Sequence, residues 1–209
     1  MRKLLHIIAT PREDESRTLS VSKAFLENFK KRYPDCEIET LDLFKENLPD
    51  LTVKMVGGKY VLLAGGDLAG EFKEAWKDIE RYIGQFLSAE GYLVSAPMWN
   101  FSIPYALKQY IDIIVQPKYL FRYTEKGPEG LAKNKKMAVI TTRGGDYSPE
   151  SPFNKFDFQE PYLRAIFGFA GITDISFING QPMDAMGPDT QKQRLEEAKR
   201  LARETALSW

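Results

Sequence analysis

Apolar positions in this chain fall alternately into short runs and helical stripes. Residues 4–9 form a compact apolar run, as expected of a strand buried on both faces. Residues 18–33 place Leu19, Phe25, Leu26 and Phe29 at helical spacing, and Pro34-Asp35 stops them. Residues 37–43 alternate polar and apolar, which predicts a second, more exposed strand. Residues 48–70 carry two Gly-Gly pairs around the run Tyr60-Val61-Leu62-Leu63-Ala64 and predict a short helix within a longer excursion. Residues 71–88 predict an amphipathic helix, with Phe72, Trp76, Ile79, Ile83 and Phe86 or Leu87 on one face. A third strand at 92–96 is stopped by Pro97, and a helix at 102–115 takes Pro104 in its first turn, where proline is tolerated. Residues 116–135 read as a long loop and 136–142 as a fourth strand. A helix at 162–170 ends before Gly171, a fifth strand follows at 172–178, and Asp189 is placed to cap a last helix.

Strand and helix thus alternate, the pattern of a parallel sheet with helices on both faces. Five strands favour the α/β flavodoxin-like order 2-1-3-4-5. A length of 209 residues suits a single domain over residues 1–209. Lys plus Arg (29) balances Asp plus Glu (29), which leaves no electrostatic case for nucleic acid or an anionic membrane as partner. The one cysteine, Cys36, permits no intrachain disulfide. The first apolar run is too short for a secretory leader, and Pro11 with the charged residues 12–15 ends it. No stretch reaches the roughly 20 apolar residues of a membrane span. The expectation is a soluble cytoplasmic protein.

In a doubly wound sheet, ligands bind beyond the carboxyl ends of the strands. Three loops belong to that edge: 10–18, 97–101 and 142–147. The first has no glycine, so it is neither a dinucleotide fingerprint nor a P-loop. It brings Thr10, Ser16, Arg17 and Thr18 to the start of a helix, where free amides and partial positive charge favour phosphate. Taken alone, Ser16 or Thr18 reads more simply as a helix cap. The second loop, Pro97-Met98-Trp99-Asn100-Phe101, combines apolar surface with an amide that both donates and accepts, which suits a flat, partly polar ring. In the third, Thr142-Arg143-Gly144-Gly145, the paired glycines let backbone come close to a ligand; alone, they also read as an ordinary turn.

Taken together, these loops resemble those of the bacterial FMN-dependent NADH-azoreductases and quinone reductases. The resemblance runs along essentially the whole chain. Its most specific pieces are Ala96-Pro97-Met98-Trp99-Asn100-Phe101 with Ile103 and Leu107-Lys108, and the long motif Phe121-Arg122-Tyr123-Thr124-Glu125-Lys126-Gly127-Pro128-Glu129-Gly130-Leu131. Thr142-Arg143-Gly144-Gly145 and Phe167-Gly168-Phe169-Ala170-Gly171-Ile172 add to it. The resemblance implies FMN as cofactor and NADH or NADPH as donor, with quinones and azo compounds reduced in a two-electron ping-pong cycle. It implies phosphate and ribityl contacts at Thr10, Ser16, Arg17 and Thr18, and ring contacts at Met98, Trp99, Asn100 and Phe101. Further flavin-edge contacts fall at Thr142, Arg143, Gly144 and Gly145. It also implies a homodimer with sites at the interface, and a substrate pocket walled by Tyr123, Tyr147 and Phe169. Two departures stand out: the charged segment Pro11-Arg12-Glu13-Asp14-Glu15, and Tyr147 where the family often has histidine.

No set of side chains reads as a nucleophile with its base, and no His/Cys cluster reads as a metal site. His6, the one histidine, lies within a predicted strand and is expected to be packed in the core. Chemistry is therefore expected on the flavin, with no catalytic side chain. The alternatives are a flavodoxin-type electron carrier, whose usual strong acidity this neutral chain lacks, and the acyl-carrier-protein phosphodiesterase label once given to relatives.

Overall fold

The computed structural model describes residues 1–209. Five parallel strands form the sheet: β1 (Lys3–Ile8), β2 (Glu37–Asp42), β3 (Gly91–Ser95), β6 (Lys136–Thr142) and β7 (Asp174–Gly180). Their order is β2-β1-β3-β6-β7. With the short hairpin strands β4 (Phe121–Thr124) and β5 (Gly127–Gly130) set aside, this is the expected order 2-1-3-4-5. The central strands are buried on both faces, which explains why they read as continuous apolar runs. The edge strand β2 is mostly exposed or half-buried, so its alternation survives in the sequence.

Alternate residues of each strand feed two cores. Leu4, Leu93, Ala138 and Ile140 pack under α1 (Arg17–Arg32) and α7 (Gly187–Ser208). Leu5, Ile7, Tyr92, Val94, Met137 and Val139 face α4 (Lys77–Ser88), α5 (Tyr105–Ile114) and α6 (Glu160–Phe169) on the other side. Helix α2 (Val53–Leu63) is the helix expected in the excursion before α4.

Several elements differ from the sequence pattern. The helix expected over 71–88 is two helices, α3 (Gly70–Ala75) and α4, meeting at Trp76. Trp76 is fully buried and its Nε1–H donates to the Met55 carbonyl at 2.9 Å, pinning the junction to α2. Pro104 is the N-cap of α5 rather than a first-turn residue, because Trp99 and Ser102 exchange backbone hydrogen bonds and hold the chain in a turn. The last helix starts at Gly187 with Pro188 in its first turn, so Asp189 sits inside that turn instead of capping it.

The long loop expected at 116–135 contains a hairpin, β4 (Phe121–Thr124) paired antiparallel with β5 (Gly127–Gly130). Its base is clamped to the end of α6. Leu131 N donates to Leu120 O at 2.8 Å, and Ala132 N donates to Ala170 O at 2.9 Å. A Cβ at Gly130 would lie 2.3 Å from the Gly171 nitrogen, so only glycine fits there. Two stretches that read as separate motifs are thus one contact.

Candidate functional site

Strand order reverses beside β1, so the chain leaves β1 and β3 toward opposite faces and opens a crevice at their carboxyl ends. The loop after β1 contains a single turn of 3-10 helix at Glu13–Glu15 before α1 begins. Ser16 is the N-cap of α1, its Oγ accepting from Leu19 N at 3.2 Å. The amides of Arg17 and Thr18 keep no protein acceptor, as the first turn of a helix leaves them. Thr18 is pinned from the side: its Oγ1 is 2.6 Å from Thr142 Oγ1 at the end of β6.

A buried chain of hydroxyls supports this helix start from below. Ser22 Oγ donates to Thr18 O at 3.0 Å and lies 2.6 Å from Ser95 Oγ, which is 2.8 Å from His6 Nε2. A hydroxyl has one proton. The Ser22 proton is committed to Thr18 O, so the Ser95 proton points at Ser22 Oγ, and Ser95 accepts from a His6 Nε2–H. The chain therefore selects the Nε2-protonated neutral tautomer. Burial pushes the His6 pKa down to about 4, in keeping with a neutral ring.

Thr10, Arg12, Ser16, Arg17 and Thr18 from the first loop meet Pro97, Met98 and Trp99 from the second and Thr142, Arg143 and Gly144 from the third. Met183 and Asp184, from the turn after β7, complete a polar pocket of about 200 Å³. That turn is sewn to the third loop: Met183 N donates to Arg143 O at 2.9 Å and Asp184 N to Gly144 O at 3.0 Å. A Cβ on Gly144 would stand 3.2 Å from Asp184 Oδ2, so the glycine keeps this side of the pocket open. Asp184 also faces Arg17, whose Nη1 is 2.7 Å from Asp184 Oδ1. Arg12, Met183 and Asp184 are pocket residues that the sequence reading did not select. The charged segment 11–15 signalled Arg12; nothing local signalled Asp184.

The second loop has an unusual backbone. Asn100 (φ 47°) and Phe101 (φ 69°) both lie in the left-handed region, which costs residues with a Cβ roughly 1–2 kcal/mol each. Neither amide donates to any protein group, and the same holds for Gly144 and Gly145. Trp99 packs edge-on with Phe44 at 5.9 Å between ring centroids, and Phe101 meets Tyr147 at 6.2 Å. Tyr147 thus stands at the junction of the second and third loops.

Arg143 behaves differently from the expectation placed on it. Only its loop position lines the pocket. Its guanidinium is 1% exposed, with Nη1 2.7 Å from Asp157 Oδ2 and Nη2 3.8 Å from Glu160 Oε2. Nε donates to Thr141 Oγ1 at 3.1 Å, Thr141 donates to Asn179 Oδ1 at 2.9 Å, and Asn179 donates to Glu160 Oε2 at 2.8 Å. Asp157 and Glu160 pair the buried charge within the protein, although Nη2 itself has no hydrogen-bond acceptor, so the guanidinium is not a free cation for a ligand.

Tyr123 and Phe169 do not join the pocket at the strand ends. Phe169 packs on Phe121 at 4.7 Å and lines a groove of about 480 Å³ with Met55, Val56, Tyr60 and Leu63 of α2. Tyr123 stands out from the hairpin beside Phe121.

A family model described as the flavodoxin-like fold matches residues 2–206. The chain belongs to this flavodoxin-like family. Within it, the chain is 37% identical over 209 residues to a protein of Nitratidesulfovibrio vulgaris (strain DP4) named FMN-dependent NADH:quinone oxidoreductase, with both sequences covered completely. An azoreductase from Bacillus anthracis strain Sterne has a similar structure, with a TM-score of 0.90 at 31% identity and all of both chains covered. A second, an FMN-dependent NADH-azoreductase from Bacillus anthracis strain Ames Ancestor solved in complex with FMN, gives a TM-score of 0.84 at 30% identity. It covers 99% of this chain and all of that one.

The pocket's own chemistry fits FMN. Hydroxyls, two arginines and helix-start amides form a donor set for a phosphate monoester. Four further unpaired amides, those of Asn100, Phe101, Gly144 and Gly145, lie in the second and third loops, where a ring would sit.

Proposed function

We propose that this chain is an FMN-dependent NADH oxidoreductase that reduces quinones and azo compounds, working as one flavodoxin-like unit within a homodimer. The observation that carries the reading is the meeting of the three strand-end loops on one donor-rich pocket, in a chain that matches a named quinone oxidoreductase end to end.

The bound flavin supplies the two-electron chemistry. The first turn of α1, with Thr10, Ser16, Arg17 and Thr18, holds the phosphate end by charge and by amide hydrogen bonds. Met98, Trp99, Asn100 and Phe101 carry the ring, the Asn100 and Phe101 amides serving its polar edge. Thr142, Gly144 and Gly145 would serve the other edge, with Tyr147 beside them, and the free amides there would favour negative charge. Arg143 contributes through its backbone position. No protein acid is required: NADH gives a hydride, the quinone gains two electrons and two protons, and the second proton comes from water.

Donor and acceptor would use the same site in turn, which is the ping-pong order. Purified protein is expected to be yellow and to bleach with NADH, and initial-rate lines for NADH against quinone are expected to be parallel. A colourless protein that cannot be reconstituted with FMN overturns the reading. Bleaching absent with NADH returns it to an electron carrier, and intersecting lines overturn the order of use.

The homodimer is supported by the apolar face of α2 and its neighbours, where Val53 is 90% exposed and Tyr60 65%, alongside Tyr123 at 66%. A second copy covering this face would also bring Tyr123 and Phe169 toward a substrate. Light scattering is expected to give twice the 23.9 kDa chain mass, and a monomeric mass overturns the assembly. No helix is long and apolar enough to cross a membrane. One buried thiol, Cys36, without a disulfide suits a reducing cytoplasm.

A further inference from the structure

The left-handed pair Asn100–Phe101 raises a question of support. Two consecutive residues with a Cβ hold this conformation only where their surroundings over-determine it. The Trp99–Ser102 backbone pair closes the turn around them, and the remaining supports come from one short segment before α6. Gln159 is fully buried, and its Nε2 donates at 3.1 Å to both Ala96 O and Pro97 O, at the entrance of the loop. Phe158 N donates to Phe101 O at 3.0 Å, at its exit, and the Phe101 ring stacks on Phe156 at 5.3 Å.

The segment is itself anchored. Asp157 Oδ1 accepts from the amides of Gln159 and Glu160 at 3.0 Å, while its Oδ2 takes the Arg143 guanidinium at 2.7 Å. Arg143 belongs to the third loop. One stretch of four residues therefore holds both loops that flank the ring position. The Gln159 carboxamide is committed as a donor: its Oε1 is buried and has no partner. An apolar residue would fill the space but leave the Ala96 and Pro97 carbonyls, which accept from no other group, without a partner, so the carboxamide gives up one acceptor of its own to hold two of the loop.

From this geometry we propose that Gln159 is a positioning residue for the flavin reaction. Acting through Ala96 and Pro97, it holds the Asn100 and Phe101 amides at the polar edge of the ring, and so sets both the hold on FMN and the potential at which it accepts electrons. The proposal rests on the assignment of FMN to these loops, and its test separates the two.

Gln159→Met keeps the length and apolar volume and removes both donors. FMN titrated into the apoprotein is expected to bind about tenfold more weakly, and the midpoint potential of the bound flavin is expected to shift, with a displaced visible band. Gln159→Glu, which retains the shape but sets an acceptor against two carbonyls, is expected to move the same readouts and serves if the first variant folds poorly. A variant with lowered melting temperature but wild-type affinity, spectrum and potential overturns the proposal, since that is the outcome of a purely structural role. Wild-type apoprotein that binds no FMN overturns the functional reading and this proposal with it, whereas wild-type binding with unchanged variants overturns this proposal alone.

Discussion

Replacing Arg143 with Leu is expected to cost about 3–5 kcal/mol of stability, because it strips a buried charge of its partner. The guanidinium is 1% exposed and Asp157 8%. Removing the cation leaves the Asp157 carboxylate buried with only the two amides of the α6 start to balance it. For a chain of this size about 1 kcal/mol corresponds to roughly 2–4 °C, so melting is expected to fall by roughly 6–20 °C. Removing the pair together, as Arg143→Leu with Asp157→Leu, is expected to recover part of the loss, since two apolar groups replace an ion pair at little net cost. Recovery stays incomplete because Asp157 also accepts from the Gln159 and Glu160 amides at the start of α6, a loss of about 1 kcal/mol. Thermal and urea denaturation of the apoprotein measure both variants. A single variant melting within error of wild type would show that the charge is not buried in this ring. The loss of FMN affinity in the single variant is a consequence: the loops at 97–101 and 142–145 share Asp157 as an anchor.

The contrast between what Arg143 looks like in sequence and what it does explains where a reading of one sequence stops. The alternation of strands and helices was legible because burial on both faces leaves β1, β3 and β6 as uninterrupted apolar runs. The loops after β1, β3 and β6 could be located because topology requires ligands at those ends. Thr142-Arg143-Gly144-Gly145, read locally, offers a cation beside a flexible turn. The partner that claims the cation lies 14 residues further on, and no local pattern announces it. Asp184, 167 residues from Arg17, is a stronger case of the same kind. The hairpin β4–β5 was hidden for another reason. Its strands are four residues long, and β5 is Gly-Pro-Glu-Gly, a sequence with no β propensity of its own. It exists because its base is tied to α6 through contacts that only glycine permits at residue 130. The break at Trp76 escaped the helical stripe because Phe72 N-terminal to it and Ile79 beyond it still fall on one face. Periodicity records which side is buried, and a change of axis that preserves that side leaves no trace in it.

The charge at the other end of the pocket leads to the second large effect. Arg17→Glu is expected to weaken FMN binding on the order of 100-fold. A charge-assisted hydrogen bond contributes about 1.5–3 kcal/mol, and each 1.4 kcal/mol is about tenfold in affinity. Reversing the charge adds repulsion from Asp184, already 2.7 Å from the arginine, to the loss of attraction. Riboflavin, which lacks the phosphate, is expected to bind the variant and the wild type almost equally, so the ratio of the two ligands isolates the phosphate end. Asp184→Ala is the opposing experiment. In the free protein Asp184 shares the Arg17 charge and stands on the wall of the same pocket. Its removal leaves the whole charge for the phosphate, and FMN is expected to bind at least as tightly as to wild type. The salt dependence of that binding should also be steeper, because an unpaired exposed charge is more strongly screened. Fluorescence titration of the apoproteins at two ionic strengths reads all of these quantities. An Arg17→Glu variant that keeps wild-type FMN affinity would place the phosphate elsewhere. An Asp184→Ala variant that loses affinity would make the carboxylate a ligand contact, with the ribityl hydroxyls as its natural partners, rather than a competitor for Arg17.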